Sequence, residues 1–197
     1  MMINRFGPVA AVFLGLLSVG CLMGATQPAV ANNVAAARSI NASKEGGKDG
    51  AAAEDIAAAD RVEVHKAARK LYLYHGQQLL GEYKVWLGLA PVGQKERERD
   101  FKTPEGRYFL ARRNTRSDYF LSIQVSYPNS ADEQRAHKNH WAPGGSIMIH
   151  GLPNTPHHPP AYYASNDWTD GCIALSNSDM VEVWMRTQDN IPIDIYP

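Results

Sequence analysis

The chain has 197 residues, with 20 Lys and Arg against 20 Asp and Glu and a formal net charge of zero. That balance leaves no basic field for nucleic acid, and no basic stripe interleaved with aromatic residues is present, so a nucleic-acid partner is excluded. With 2 cysteines the chain cannot be a disulfide-stapled scaffold.

The N-terminus reads as an export signal. Arg5 precedes an apolar run from Val9 to Leu22, and Ala29-Val30-Ala31 supplies a small-x-small cleavage pattern. Residues 1–31 are therefore expected to be a signal peptide, with Asn32 the first residue of an exported, periplasmic protein. Membrane attachment arises only if Cys21 is lipidated or the signal stays uncleaved, and the apolar run is shorter than the ~20 residues a spanning helix needs. Residues 32–60 are rich in Ala and Gly and poor in large apolar side chains, so they read as a flexible linker. Residues 61–197 form one domain of ordinary size.

Within that domain the first signals are strands. Val62-Val64, Lys70-Tyr74 and Leu79-Leu87 are short runs rich in β-branched or aromatic residues, and His75-Gly76-Gln77-Gln78 between the last two reads as a hairpin turn. Residues 90–102 carry Lys95-Glu96-Arg97-Glu98-Arg99-Asp100, expected to be a solvated surface loop. Strands follow over Gly106-Ala111 and Tyr119-Ser126, each behind turn residues, and Ser146-His150 is a buried strand that delivers His150 at its end. Leu152-Trp168 is a long Pro-rich loop, a feature more often functional than structural in a compact domain. One clear helix is expected near the C-terminus, about Ser178 to Thr187, with Met180, Val183 and Trp184 on one face, and Ile191-Ile195 is the last strand. The fold class is mainly β, a sandwich or open barrel.

The chemistry sits on either side of the Pro-rich loop. Cleavage at Ala31 removes Cys21, so Cys172 is an unpaired thiol in an oxidising compartment. A thiol attacks a carbonyl as its thiolate, and His150 is placed to act as base if its other ring nitrogen is oriented by a carboxylate or by a backbone carbonyl near Gly151. Gly171 permits a tight turn in which the amides of Gly171 and Cys172 face the oxyanion of a tetrahedral intermediate. These roles describe acyl transfer through a thioester. A zinc site is the competing reading, since His150, His157, His158, Asp167, Asp170 and Cys172 are donors, but they lack a recognised ligand spacing, so neither metal nor cofactor is expected.

Ile149-His150-Gly151, the loop, and Thr169-Asp170-Gly171-Cys172-Ile173 together resemble the signature of the L,D-transpeptidase (YkuD-like) catalytic domain. Gly88-Leu89-Ala90-Pro91-Val92-Gly93, Lys102-Thr103-Pro104-Glu105-Gly106-Arg107-Tyr108 and Ser126-Tyr127-Pro128-Asn129 are similar to other segments of the same family. The resemblance, over about residues 62–197, implies a β-sandwich with Cys172 as nucleophile, His150 as base and the Gly151 carbonyl orienting the imidazole. It also implies a bacterial cell-wall substrate. The acyl donor is the third residue of a peptidoglycan stem peptide, commonly diaminopimelate, at its bond to D-Ala. The acceptor is another stem amine, a lysine of a wall-linked lipoprotein, or water. Trp168, Thr169, Asp170, Tyr162 and Tyr163 are then the candidate substrate-binding residues. Many members have a histidine where this chain has Asp170 and a basic or amide side chain near Ala174, which leaves substrate carboxylates needing another partner. Arg112, Arg113 and Arg116 read as surface charges. The leading expectation is a peptidyl-transferase of wall synthesis, remodelling and cell shape. The alternatives are an L,D-carboxypeptidase or endopeptidase that uses water, and a non-catalytic wall-binding module.

Overall fold

The structure, a computed structural model, describes residues 57–197. The expected signal peptide, the candidate lipidation site Cys21 and nearly all of the expected linker lie outside the described residues. Among the described residues no helix is long and apolar enough to cross a membrane.

Alternating side chains build the first half of the sheet. In β1 (Arg61–His65) Val62 and Val64 point inward, and in β2 (Lys70–His75) Leu71 and Leu73 do the same. β3 (Gln78–Lys84) returns against β2 through a turn in which Gly76 takes φ +54°, as the hairpin reading expected. The C-terminal strand β8 (Pro192–Tyr196) inserts parallel to β1, and β4 (Gly106–Asn114) pairs antiparallel with β8. The order is β3-β2-β1-β8-β4-β5-β6-β7, completed by β5 (Ser122–Val125), β6 (Met148–His150) and the two-residue β7 (Ile173–Ala174).

One curled sheet serves as both layers of a sandwich. The first part of β4, Gly106 to Phe109, pairs with β8, and its second part, from Leu110 on, pairs with β5 in a ladder whose register shifts between Leu110 and Arg113. Leu110, Ile123, Val125, Ile149, Ile173, Ile193 and Ile195 fill the interior between the two parts. Val85 to Gly88 then leave β3 and cross to the far edge, where the Trp86 amide donates to the Ala174 carbonyl at 2.9 Å and the Ala174 amide donates back at 2.8 Å. That crossing nearly closes the sheet on itself. It also corrects the expected strand Leu79-Leu87, which breaks after Lys84 because its last residues serve the opposite edge.

Among the described residues three helices are present where one was expected. α3 (Asn177–Arg186) is the expected one, capped by Ser176, with Met180 and Val183 buried and Trp184 packed against the core. α1 (Ser130–Lys138) has a capping box between Asn129 and Asp132 but buries only Asp132 and Ala136, so no apolar period announces it. α2 (Pro160–Ser165) lies inside the expected structureless loop, with proline where a helix tolerates it.

The charged loop is solvated at Glu96, Arg97, Glu98 and Arg99, as expected, but not at Lys95. Lys95 is 3% exposed and donates to Asp100 Oδ1 at 2.7 Å. Lys66, 2% exposed, donates to the carbonyls of Gly93 and Thr103 and to Glu105 Oε1 at 2.7, 2.9 and 2.8 Å. These bonds fasten the loop to the β1–β2 turn and give it a fixed course.

Candidate active site

β6 and β7 run parallel, with Ile149 opposite Ile173 and His150 opposite Ala174. That register brings His150, at the end of one strand, and Cys172, just before the other, onto one cavity of about 340 Å³. Tyr119, Ser146, Trp168 and Asp170 also line it.

His150 is buried, and its Nδ1 lies 2.7 Å from the Gly151 carbonyl. A carbonyl can only accept, so Nδ1 carries the ring proton and Nε2 keeps a lone pair. Burial holds the imidazole well below its ordinary range, at about 4, although the Gly151 bond pulls the other way. Tyr119 packs on the ring at a centroid distance of 4.2 Å, and Trp168 meets it edge-on at 5.6 Å. Gly151 itself admits no side chain: a Cβ would lie 2.6 Å from Asn177 Oδ1 and 2.9 Å from the Phe120 carbonyl.

Burial likewise pushes the Cys172 thiol up to about 11, with the Asp170 charge adding to the rise and the Met148 amide and Lys95 opposing it. The thiol donates to the Ser146 carbonyl at 3.6 Å, and Ser146 holds the left-handed backbone, φ +55°, that aims that carbonyl. Burial thus disfavours both the thiolate and the imidazolium in the resting site.

The turn before Cys172 is locked by Thr169. Its hydroxyl donates to the Cys172 carbonyl at 2.8 Å and accepts from the Gly171 amide at 3.1 Å. Thr169 therefore lines the cavity and spends its hydroxyl inside the turn. The same bond occupies the Gly171 amide, so it is not available for an oxyanion. Gly171 has φ +128°, and a Cβ there would lie 2.5 Å from the Lys102 carbonyl, so glycine is required both by conformation and by the charged loop packed against the turn.

Tyr162 and Tyr163 do not line the cysteine cavity. They line a neighbouring one of about 510 Å³ that shares Tyr119 and Trp168 as its wall. The Tyr163 hydroxyl accepts from the His157 and His158 amides at 3.1 and 3.3 Å, and its ring meets Trp168 edge-on at 5.1 Å. Asp167 is committed elsewhere: Arg69 Nη2 donates to Oδ2 at 2.7 Å and the Leu87 amide to Oδ1 at 2.9 Å, which anchors the segment before Trp168. Among the described residues no three His, Cys, Asp or Glu side chains gather as a metal ion would need. Arg113 is also spent, donating to the Trp184 carbonyl at 2.7 Å and to Thr187 Oγ1 at 2.9 Å at the end of α3.

Sequence reasoning missed Tyr119, Ser146 and Lys95. Tyr119 was the first residue of an expected strand, but Leu121 has φ +45° and the strand begins at Ser122. No local pattern distinguishes these three, because the sheet closure that gathers them is non-local.

The model of the YkuD family, described as the L,D-transpeptidase catalytic domain, matches residues 59–195. YafK of Escherichia coli strain K12, named as an L,D-transpeptidase, is 28% identical over 149 residues, covering 69% of this chain and 53% of YafK. The crystal structure of the helical cell shape determining protein Pgp2 from Campylobacter jejuni is similar with a TM-score of 0.54 at 28% identity, over 68% of this chain and 46% of that one. Bd1075 of Bdellovibrio bacteriovorus is similar with a TM-score of 0.50 at 26% identity, over 74% of this chain and 50% of that one. The chain spans about half the length of these relatives.

Proposed function

Because the chain belongs to the L,D-transpeptidase catalytic domain family, we propose that it transfers peptidyl groups of peptidoglycan stem peptides through a thioester on Cys172. The observation that carries this reading is the His150 Nδ1 bond to the Gly151 carbonyl at 2.7 Å, which reserves Nε2 as the base in the cavity that Cys172 lines.

The Cys172 sulfur attacks the carbonyl of the third stem residue while its proton passes to His150 Nε2. The carbonyl electrons move to oxygen, where the Cys172 amide donates to the oxyanion, the Gly171 amide being held by Thr169. The C–N bond to the terminal D-residue then breaks, and His150 returns the proton to the departing amine. In the second half an acceptor amine or water gives its proton to His150, attacks the thioester, and releases Cys172 as the thiol. A stem amine as acceptor forms a 3-3 cross-link, a lipoprotein lysine attaches a wall-linked protein, and water trims the stem or releases such a protein. Trp168 and Asp170 line the acyl side of the site, while Tyr162 and Tyr163 belong to the neighbouring cavity. Wall remodelling of this kind places the protein in the periplasm, consistent with cleavage after Ala31. Pgp2, by its name, determines helical cell shape, and a role in shape is proposed here on that likeness.

Intact-mass spectrometry after incubation with a tetrapeptide stem should show an acyl adduct on Cys172 that is absent in Cys172→Ala, and exported protein should begin at Asn32. An unmodified Cys172 in the parent protein would leave a wall-binding module instead. Product analysis with and without an added amine separates transfer from hydrolysis.

A further inference from the structure

The cavity of about 510 Å³ beyond the Tyr119 and Trp168 wall contains neither Cys172 nor His150, so the chemistry leaves it unused. Hydrogen bonds build it before any ligand arrives. The segment before β5 clasps the segment after β6. There the Asn154 amide donates to the Asp118 carbonyl at 2.9 Å, Asn154 Nδ2 donates to the Ser117 carbonyl at 2.8 Å, and Tyr119 bridges Pro153. The rest of the lining comes largely from α2 and the turn before it, which the Tyr163 hydroxyl holds through the His157 and His158 amides. The end of α2 is fixed in turn, because Lys84 Nζ and Trp86 Nε1 donate to the Ala164 carbonyl at 3.1 and 3.2 Å.

Rings and charge together define what fits. Tyr162 and His158 lie 4.2 Å apart and Tyr119 and Trp168 6.0 Å apart, each pair tilted by only 30°. Tyr163, edge-on to Tyr162 at 5.5 Å and to Trp168 at 5.1 Å, joins the two pairs. No Lys or Arg lines the cavity, and its one carboxylate, Asp118, is exposed and enters no ion pair among the described residues. An anionic ligand, a stem peptide with its carboxylates included, would meet Asp118 with no cation to offset it. A lone ammonium would use Asp118 and a ring face, but it would leave most of the volume empty and the Thr155 and His157 side chains unmet. A neutral pyranose matches the whole lining: its C–H face covers a ring, its hydroxyls donate to Asp118, and a mono- or disaccharide suits a cavity of this size.

We propose that this cavity is a carbohydrate-binding site that holds a neutral acetamido sugar. Tyr162 and His158 take the C–H face of the ring, Asp118 accepts from its hydroxyls, and Thr155 and His157 complete the polar contacts. The sugar's source, the glycan strand of the wall, rests on the peptidyl-transfer reading, whereas the site itself stands on its own lining. Tyr119 and Trp168 are common to both cavities, so a bound strand lies just across that wall from Cys172. The site anchors the protein to the polymer while stem peptides react next door, and two linked contacts raise the local concentration of stems without any new contact at the cysteine.

The test is a titration with N,N′-diacetylchitobiose, an uncharged acetamido disaccharide that carries no stem, followed by nuclear magnetic resonance at the Trp168 indole N–H. That signal should move and saturate. Asp118→Asn, at an exposed position, should weaken binding by about tenfold, the usual loss for a hydrogen bond to a charged group. Tyr162→Ala should weaken it about fivefold, the scale of one ring contact, and Tyr162→Phe, which keeps the ring, should bind as the parent does. No saturable movement of the Trp168 signal, or binding that neither Asp118→Asn nor Tyr162→Ala weakens, overturns the site. A response to the ammonium of Nα-acetyl-lysine methylamide in place of the sugar overturns it as well, and leaves a cation pocket. Acylation of Cys172 by a tetrapeptide stem, read separately by intact mass, keeps the two readings apart. Sugar binding without acylation upholds the site and overturns peptidyl transfer, and acylation without sugar binding overturns the site alone.

Discussion

His150 is held neutral by its surroundings. Its buried ring, covered by Tyr119 and Trp168, resists the imidazolium form, and its proton sits on Nδ1 facing the Gly151 carbonyl. Cys172, raised to about 11, is equally reluctant to ionise alone. In the proposed reaction the proton therefore moves within the attack itself, from sulfur to Nε2, instead of before it. This separates two pH profiles. Iodoacetamide reacts with the thiolate, so alkylation of the free protein should climb about tenfold per pH unit from neutrality and level off only near pH 11, well above the ~8.5 of an ordinary cysteine. Acylation by a stem draws on the neutral pair and should stay level across that range, falling only as His150 protonates near pH 4. An alkylation plateau already reached at pH 6 would show a thiolate–imidazolium pair and refute this account. Thr169 belongs to the same scale, since its hydroxyl fixes both the Gly171 amide and the Cys172 carbonyl.

At the scale of elements, the charged loop behaves as part of the site because of how it is fastened. Lys66 reaches from the β1–β2 turn to the Gly93 and Thr103 carbonyls and to Glu105. Burial lowers its pKa and the Glu105 hydrogen bond and charge raise it, so the ammonium is costly to bury and more costly to unpair. The backbone that follows, at Phe101 and Lys102, lies against Gly88 and Gly171, where a Cβ on either glycine would collide with a carbonyl. Lys66→Ala should therefore destabilise the domain by about 3 kcal/mol in urea unfolding, the scale of breaking a buried pair. It should also slow acylation, because the nucleophile turn loses its backing. A loss below about 1 kcal/mol would assign the clamp no weight. Arg69 and Asp167 do the equivalent for the Pro-rich segment, which is held at the residue before Trp168.

For the whole molecule, burying a neutral imidazole links stability to acid. Below an ordinary pKa of about 6.5 the unfolded chain takes up a proton at this histidine, while the folded chain refuses it until about 4. The contribution is complete above pH 6.5 and is lost as pH falls through about 4, a change on the order of 3 kcal/mol. Urea unfolding between pH 7 and pH 4.5 should fall less steeply for His150→Gln than for the parent, and equal slopes would remove His150 from the linkage. The division between sequence and fold follows the range over which each signal acts. Period-two alternation in β1 and β2, the Gly76 turn and the capped apolar face of α3 are local, and the sequence alone determined them. Cys172, His150 and Gly151 also stood out locally, as a lone thiol behind an expected export signal, a strand-end histidine and a family-like signature, none of which needs folding to be read. α1 stayed hidden because its surface is polar almost all round, although Asn129 and Asp132 spell its capping box. The tertiary structure alone decided that Thr169 locks the turn, that the backbone after the charged loop packs against Gly171, and that Tyr162 and Tyr163 face a second cavity. Each depends on the crossing of Val85 to Gly88 to the far edge of the sheet, and on where Lys66 and Arg69 hold the loops. Those contacts join residues far apart in the chain, and no periodicity along it records which of them will meet.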